Sequence, residues 1–496
     1  MIDENLPEND EVKAYFSDYF GVLPETLKDY GAFNISLLND LPLFIDPFLL
    51  FNSDNPNYVQ LHDGIIKYLR FLRDKSVTDK LNKPLILSWY SFKEIKQTWL
   101  GFSLRGNDGS GLGKDFAAAL HSSLHKLFSD FGDERITKGS HLEKLCLFKE
   151  RVGKDSISDF TTNLIKEYLL KYTEKFAQDF IHPSLKRRVR VNKVRFNYRT
   201  ESWESDYFDL PFLDKDYVIL TPKDMLTKDE TWINRTDLFD DFETIPYSIP
   251  NDELRAQINN YFAKVLPEDA DNKERADAVR KTINEFPEIL DYYIKYKEDN
   301  GDKAVDISSE KVEFSNEFYV NQFKRLISKL TNSTDFYDVY GDTYDEAFAR
   351  VQFLKDVIEN KDGYRFLYDK DTPIKKESDL QILYRLTWFA TQSDVNREVN
   401  NGRGAVDFKI SRGKNDSTLV EFKLAKNTKL KSNLEKQVEI YKKANNTEKA
   451  IKVIFCFTYE EQEKVREILE ELELTEDPNI VMINARNDDK ISASLA

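Results

Sequence analysis

Cysteine is nearly missing from this 496-residue chain, with Cys146 and Cys456 its only two. No disulfide framework can be read from such a pair, and the expectation is a reducing, cytoplasmic setting. Glycine and proline are sparse as well, at 17 and 15 residues, which argues against a long disordered linker. No low-complexity tract and no fixed-period repeat stands out. The longest apolar run, Leu41 to Phe51, is too short to cross a bilayer and is interrupted by Pro42, Asp46 and Pro47. The first ten residues are acidic and polar, unlike a secretory leader. A net charge of -16 excludes a protein that coats nucleic acid non-specifically over its whole surface. What the chain does have is 40% hydrophobic and 13% aromatic content, enough for well-packed interiors. Its length predicts about two to four domains.

The densest chemistry lies near the C-terminus. Ala405 to Ser411 alternates, with Val406, Phe408 and Ile410 on one face and Ala405, Asp407 and Lys409 on the other. That period of two predicts a half-buried strand. Arg412 to Asp416 collects turn residues. Thr418 to Leu424 alternates again, placing Leu419, Glu421 and Lys423 opposite Val420, Phe422 and Leu424. If the apolar trios face the core together, Asp407, Glu421 and Lys423 emerge on one common face. Two carboxylates held together need a compensating cation. Mg²⁺ suits them, because it takes hard oxygen ligands and keeps sites for water and phosphate. Lys423 would orient the bound water, accept its proton or stabilise charge on the phosphorane, and the spacing does not choose among these. Asn433 to Ala444 predicts a helix with Gln437 and Tyr441 on one face. Ala450 to Thr458, Glu460 to Glu473 and Asn479 to Asn484 read as strand, helix and strand. Upstream, Ile382, Leu383, Leu386, Phe389 and Ala390 mark a helix, and Val395 to Val399 a strand. The order is α-β-β-β-α-β-α-β, a mixed layered domain.

The pattern Gly404-x-x-Asp407, Glu421-x-Lys423, Gln437-x-x-x-Tyr441 resembles the PD-(D/E)XK nuclease superfamily, in particular its RecB-like branch. Val406 stands where that family usually has proline. The resemblance covers roughly the last quarter of the chain, and it implies a restriction-endonuclease-like fold with a mixed central sheet flanked by helices. It further implies that Asp407, Glu421 and the Phe422 carbonyl bind Mg²⁺ or Mn²⁺, and that Lys423 is catalytic. Gln437 and Tyr441 would brace the site or touch the nucleic acid. Members of the family often add a Glu from the first helix, for which Glu377 is the candidate and Asp379 and Glu398 are rivals. The tripeptide alone carries little, since Glu11-Val12-Lys13 and Glu94-Ile95-Lys96 also match. From Arg403 to Lys452 there are 13 basic and 6 acidic residues, a local balance of 13 − 6 = +7. Arg403, Lys426, Lys429, Lys431 and Lys436 would form a basic rim for a phosphate backbone.

The expected fold class is therefore multidomain α/β. It comprises an N-terminal mixed α/β recognition or regulatory region over 1–245, a charged helical region over 246–335 and the nuclease domain over 336–496. Residues 1–75 read as mostly helical, with Leu61 to Leu72 amphipathic. Pro84 to Ser88 and Tyr217 to Thr221 read as buried strands, and Ser156 to Phe176 as one helix with Ser158 or Asp159 near its start. Gly106 to Lys114 is glycine-rich and opens onto the helical pattern Phe116 to Phe128. It misses the P-loop template, because Asp108 occupies the first glycine position and Asp115 the Ser/Thr position. His121 and His125 lie four apart without the intervening Glu of a zinc-protease helix, and read as surface residues. Lys186 to Arg190 is a basic cluster leading into a strand candidate, Val191 to Tyr198; a contact with DNA is one reading, but one such cluster on a chain this charged is ordinarily just solvated. Past Asn251 the pattern is helical, with breaks at Pro267, Pro287 and Asn300-Gly301. A large N-terminal region joined to such a domain implies, by fold-level analogy, a bacterial antiphage-defence or restriction enzyme. The expected reaction is phosphodiester hydrolysis, with DNA as the substrate and a homo-oligomer or partner subunit as possible company. The alternatives are a catalytically silent nucleic-acid-binding or assembly protein and an RNase or tRNA-cleaving toxin.

Overall fold

A computed structural model describes residues 13–37, 40–77, 83–101, 134–148, 153–213, 216–228, 230–317, 341–360, 363–369, 393–400, 405–413, 416–437 and 449–490, with isolated positions between them. The glycine-rich segment 106–114, His125 and most of Phe116 to Phe128 lie outside the described residues. His121 rests edge-on against the Tyr90 ring, 5.2 Å between centroids.

Helix α1, Pro56–Ser76, begins where Asn55 accepts the Asn57 N–H and Pro56 occupies the first turn. It buries Tyr58, His62, Ile65, Ile66, Leu69 and Leu72 at helical spacing. The run expected as a strand at Pro84 to Ser88 is instead a helix, Lys83–Tyr90. A short apolar run has no period of its own, and a proline at the second position favours a helical start over a ladder. The single helix expected over Ser156 to Phe176 is two, α2 (Lys154–Leu164) and α3 (Lys166–Phe180), broken at Ile165. Ser158 does not cap either one; its hydroxyl accepts the Ile45 N–H at 2.9 Å and pins α2 to β1, Leu43–Ile45. Strands β2 (Lys186–Asn197) and β3 (Ser202–Leu213) form a long antiparallel ribbon, with the two-residue β4 (Asp216–Tyr217) beside the end of β3. The strand thus starts five residues before the Val191 expected, and the basic cluster lies in it rather than ahead of it. Val218 to Thr221 is buried as expected but is no strand. Its polar groups go to scattered partners, among them Pro211 O, Gln97 O and the Thr173 hydroxyl.

Strand β5 (Leu226–Lys228) pairs with β1. After a short helix, Arg235–Asp240, come α4 (Asp252–Val265), α5 (Asn272–Glu285), α6 (Ile289–Asp299) and α7 (Gly301–Ser315). The breaks fall where Pro267, Pro287 and Asn300-Gly301 predict them. Asn251 caps α4, and Asp271 with Glu274 closes a capping box on α5. At the start of α7 a Cβ on Gly301 would run into the Asn52 side-chain amide, so a larger residue there would have to push that side chain aside.

The C-terminal part is a three-layer arrangement. A small hairpin, β6 (Tyr368–Asp369) and β7 (Thr372–Pro373), follows helix α8, Thr343–Asn360. Then come β8 (Asp394–Asn400), β9 (Ala405–Arg412), β10 (Asp416–Leu424), β11 (Lys449–Cys456), helix α9 (Tyr459–Glu471) and β12 (Ile480–Asn484). The sheet order is β12-β11-β10-β9-β8, with β8, β9 and β10 antiparallel and β10, β11 and β12 parallel. One face meets α8 through Phe408, Ile410, Val420, Phe422, Leu424, Val453, Phe455 and Ile483. The other face carries a second cluster of Leu430, Leu434, Ile454, Cys456, Val465 and Leu469. The fold is mixed α/β, with a five-stranded mixed sheet flanked by helices. Gly413 turns the β9–β10 hairpin at φ +72°, a conformation glycine adopts without strain.

Candidate active site

The alternation that buries Phe408 and Ile410 from β9, and Val420, Phe422 and Leu424 from β10, turns Asp407, Glu421 and Lys423 to the opposite face. The β9–β10 register runs from Arg412 opposite Asp416 to Phe408 opposite Val420. Just past its last pair the Asp407 side chain takes over from the backbone ladder. Its Oδ2 accepts the Phe422 N–H at 2.6 Å, and its Oδ1 accepts the Gln381 amide at 2.8 Å. Both carboxylates are withdrawn from water, Asp407 at 8% and Glu421 at 5% exposure. Lys423 reaches between them. Its Nζ lies 3.1 Å from Glu421 Oε1 and 4.0 Å from Asp407 Oδ2, and it donates to the Phe422 carbonyl at 3.0 Å. The trio predicted from alternation alone is therefore assembled, and it carries two formal negative charges against one positive.

A fourth charge stands on the neighbouring strand. Lys452 of β11 is opposite Glu421 in register, and its Nζ donates to the Leu434 carbonyl at 3.1 Å. Gln381 and Lys452 are the two polar neighbours that sequence reasoning missed. Lys452 was legible only as one of the basic residues of its segment. The one available signal for Gln381 was its place a helical turn after Glu377, on the predicted first helix.

Several expected residues are not brought to this centre by anything described. Glu377, Asp379, Arg403 and Tyr441 lie outside the described residues, as do Ile382, Leu383, Leu386, Phe389 and Ala390. Glu398 sits on β8, and Lys436 and Gln437 on a π-helical turn, Asn433–Gln437, but their side chains are not described. The helix expected to begin at Asn433 starts earlier, at Leu430–Ser432, and widens into that turn. Of the basic rim, Lys426 and Lys429 are exposed just past β10, whereas Lys431 is ion-paired with Glu471.

The donor set fits a hard cation. Asp407 and Glu421 offer carboxylate oxygens and Phe422 a carbonyl, the ligand types Mg²⁺ prefers. The Lys423 ammonium lies against all three groups, so they already draw positive charge, and a cation seated on them would take the place of Nζ at Glu421 and the Phe422 carbonyl. Among the described residues no group of three or more His, Cys, Asp or Glu side chains is gathered as a ligand cluster. From the described residues a cation here would have two carboxylates, and it would complete its shell with carbonyl, water or substrate oxygens.

Among known protein families, residues 21–234 match a domain of unknown function, DUF8370. Residues 343–459 match a second domain of unknown function, DUF8371, which spans α8 and strands β6 to β11 and so contains Asp407, Glu421, Lys423 and Lys452. No curated protein matches the chain. No solved structure matches it.

Proposed function

We propose that this chain is a Mg²⁺- or Mn²⁺-dependent nuclease of the PD-(D/E)XK type, acting on DNA. The observation that carries the reading is the meeting of two nearly buried carboxylates, Asp407 and Glu421, with the Lys423 ammonium 3.1 and 4.0 Å away. The mixed five-stranded sheet with helices on both faces supports it. Asp407 and Glu421 would hold the cation, with the Phe422 carbonyl as a third oxygen. When bound, the cation polarises the scissile phosphate and makes its bound water more acidic. The chain's own groups do the positioning. The Phe422 N–H and the Gln381 amide fix both Asp407 oxygens, so the carboxylate cannot rotate away. Lys423, held between the acids, stabilises charge that builds on the phosphorane. Lys426 and Lys429, exposed beyond the end of β10, attract the phosphate backbone towards the acidic centre.

The test is plasmid cleavage by the purified chain. Nicking with Mg²⁺ should vanish in chelator, and Asp407→Ala and Lys423→Ala should each lower the rate by about a hundredfold or more. If the variants cut as fast as the parent, the assigned centre is wrong. If labelled RNA is cut faster than DNA of the same sequence, the DNA assignment fails while the centre stands.

A further inference from the structure

Strands β2 and β3, twelve residues each, are the longest described strands in the molecule. One face of their ribbon is occupied: Val191, Val194, Phe208 and Leu210 are buried, and α3 packs against β3. The other face, closed at its Lys186–Pro211 end by α3, is open among the described residues over Arg188, Arg190 and Tyr207. There Arg190 stands opposite Tyr207 and Arg188 opposite Asp209. Tyr207 is 54% exposed, with the Arg188 guanidinium 5.8 Å from its ring centre. At the ribbon's margin the guanidinium of Arg187, also exposed, lies 4.4 Å over Phe212.

Charge is distributed unevenly here. Strand β2 carries Lys186, Arg187, Arg188, Arg190, Lys193 and Arg195 and no acid. From 186 to 213 there are seven basic and four acidic residues, 7 − 4 = +3, in a chain whose net charge is -16. The acids do not cancel the arginines evenly. Arg195 takes both Glu204 and Asp206, each at 2.9 Å. Arg188 meets Asp209 at 3.4 Å with both side chains well exposed, a pairing that solvent weakens. Arg187 and Arg190 make no ion pair among the described residues.

Cations on β2, the outer strand of its sheet, would by themselves be explained as guards against pairing with another chain. Guarding needs no particular cation, whereas this ribbon uses arginine three times in four residues and sets a solvent-facing tyrosine among them. The guanidinium fork matches phosphate oxygens in pairs. Alternate residues on a strand are spaced about 6.7 Å, so Arg188 and Arg190 form a straight row of forks. Single strands are held chiefly by several aromatic platforms. This face has one, because Phe196 and Trp203 are turned inward against Tyr68 and Phe71. A rigid two-stranded ribbon with a basic outer face suits the backbone of a duplex. We infer that the outer face of the β2–β3 ribbon, centred on Arg188, Arg190 and Tyr207 with Arg187 at its edge, is a docking surface for the phosphate backbone of duplex DNA. This inference does not rest on the chemistry proposed for Asp407, Glu421 and Lys423.

The experiment is fluorescence anisotropy with a short labelled DNA duplex, using the full chain with Asp407→Ala in chelator, so that cleavage plays no part. The chain should bind, and affinity should fall linearly with salt on logarithmic axes. Arg187→Ala/Arg188→Ala/Arg190→Ala should weaken binding about tenfold or more and reduce the salt slope by about 2.7, three phosphate contacts at about 0.9 each. The charge-matched control Lys264→Ala/Lys273→Ala/Lys281→Ala, on exposed positions of α4 and α5, should stay within about twofold. The single change Arg190→Glu should weaken binding in the same direction, and it serves if the triple variant melts early. Absence of duplex binding by the parent would overturn the inference. So would equal losses in the ribbon and control variants, or preferential binding of RNA or single-stranded DNA of the same sequence.

Discussion

Gln381 holds Asp407 by one hydrogen bond of 2.8 Å, and the Phe422 N–H holds it by another of 2.6 Å. Removing the first takes away a donor that orients Oδ1. Gln381→Leu should therefore keep the fold and weaken Mg²⁺ binding by about ten- to a hundredfold, the usual cost of losing a group that orients a metal ligand. Isothermal titration calorimetry measures this directly, and an unchanged affinity would remove Gln381 from the site. At this scale the sequence was informative where chemistry is local. Alternation along β9 and β10 places Asp407, Glu421 and Lys423 because a pleat obeys a period of two. Gln381 escaped because its contact spans 26 residues and two elements, and no local spacing encodes it.

Helix α8 is fastened to the sheet through a buried carboxylate. Glu346 accepts from Arg350 at 2.8 Å, from Arg412 at 2.7 Å and from the Ser393 hydroxyl at 2.7 Å, with Thr391 as a further donor. Arg350 is 1% exposed and stacks 4.6 Å from the Trp388 ring centre. Burial pushes the Glu346 carboxyl up, but bonds from Thr391, Ser393 and Arg350 and the Arg350 charge outweigh it and hold the group below its ordinary value of 4.5. A lowered carboxyl stabilises the fold above that ordinary value, and its contribution is lost as pH falls through the lower folded one. Glu346→Ala should cost about 3–5 kcal/mol in urea unfolding at neutral pH, because the buried Arg350 charge loses its carboxylate. The deficit should shrink in strong acid, and a deficit constant with pH would contradict the assignment. Elements themselves were legible where punctuation is local. Pro267, Pro287 and Gly301 end or begin helices because proline and close approach act on a few residues. Lys83–Tyr90 was not legible, since a short apolar run without alternation fits either a strand or a buried helix.

One connected set of buried hydrophobics runs from Ala14 to Ala485, so the N-terminal and C-terminal parts share a continuous interior. Polar ties accompany it. Glu298 of α6 accepts the Lys138 and Gly139 N–H groups and meets His141 Nε2 at 2.8 Å. The His141 ring in turn lies 5.9 Å from that of His62 on α1. The Nε2 of His62 is buried without a hydrogen-bond partner among the described residues. Burial, and then His141, push the His62 imidazole down to about 3 from an ordinary 6.5. The unfolded chain takes up this proton first, so the contribution is full above pH 6.5 and declines as pH falls from there towards 3. His62→Phe should flatten that acid limb by up to about 1.4 kcal/mol per pH unit, measured as melting temperature against pH. An identical limb in the variant would show that His62 does not titrate there. Such ties were invisible in sequence, because His62, His141 and Glu298 stand far apart along the chain and meet only through packing. No helix among the described residues is long and apolar enough to cross a membrane, as the broken run at Leu41 to Phe51 predicted.

The mixed sheet has a consequence for how the chain is made. Strands β8, β9 and β10 are joined by short connections, so their pairing closes small loops and is the faster part of the sheet to form. The parallel partner of β10 begins only at Lys449, 449 − 424 = 25 residues after β10 ends. Through that interval β10 is an open edge strand carrying Val420, Phe422 and Leu424, a template for unwanted pairing. Glu421 and Lys423 interrupt that apolar run at alternate positions, and charge at such positions keeps nascent edges apart. Two of the three residues proposed to cut a phosphodiester thus also stand where charge discourages mispairing of β10.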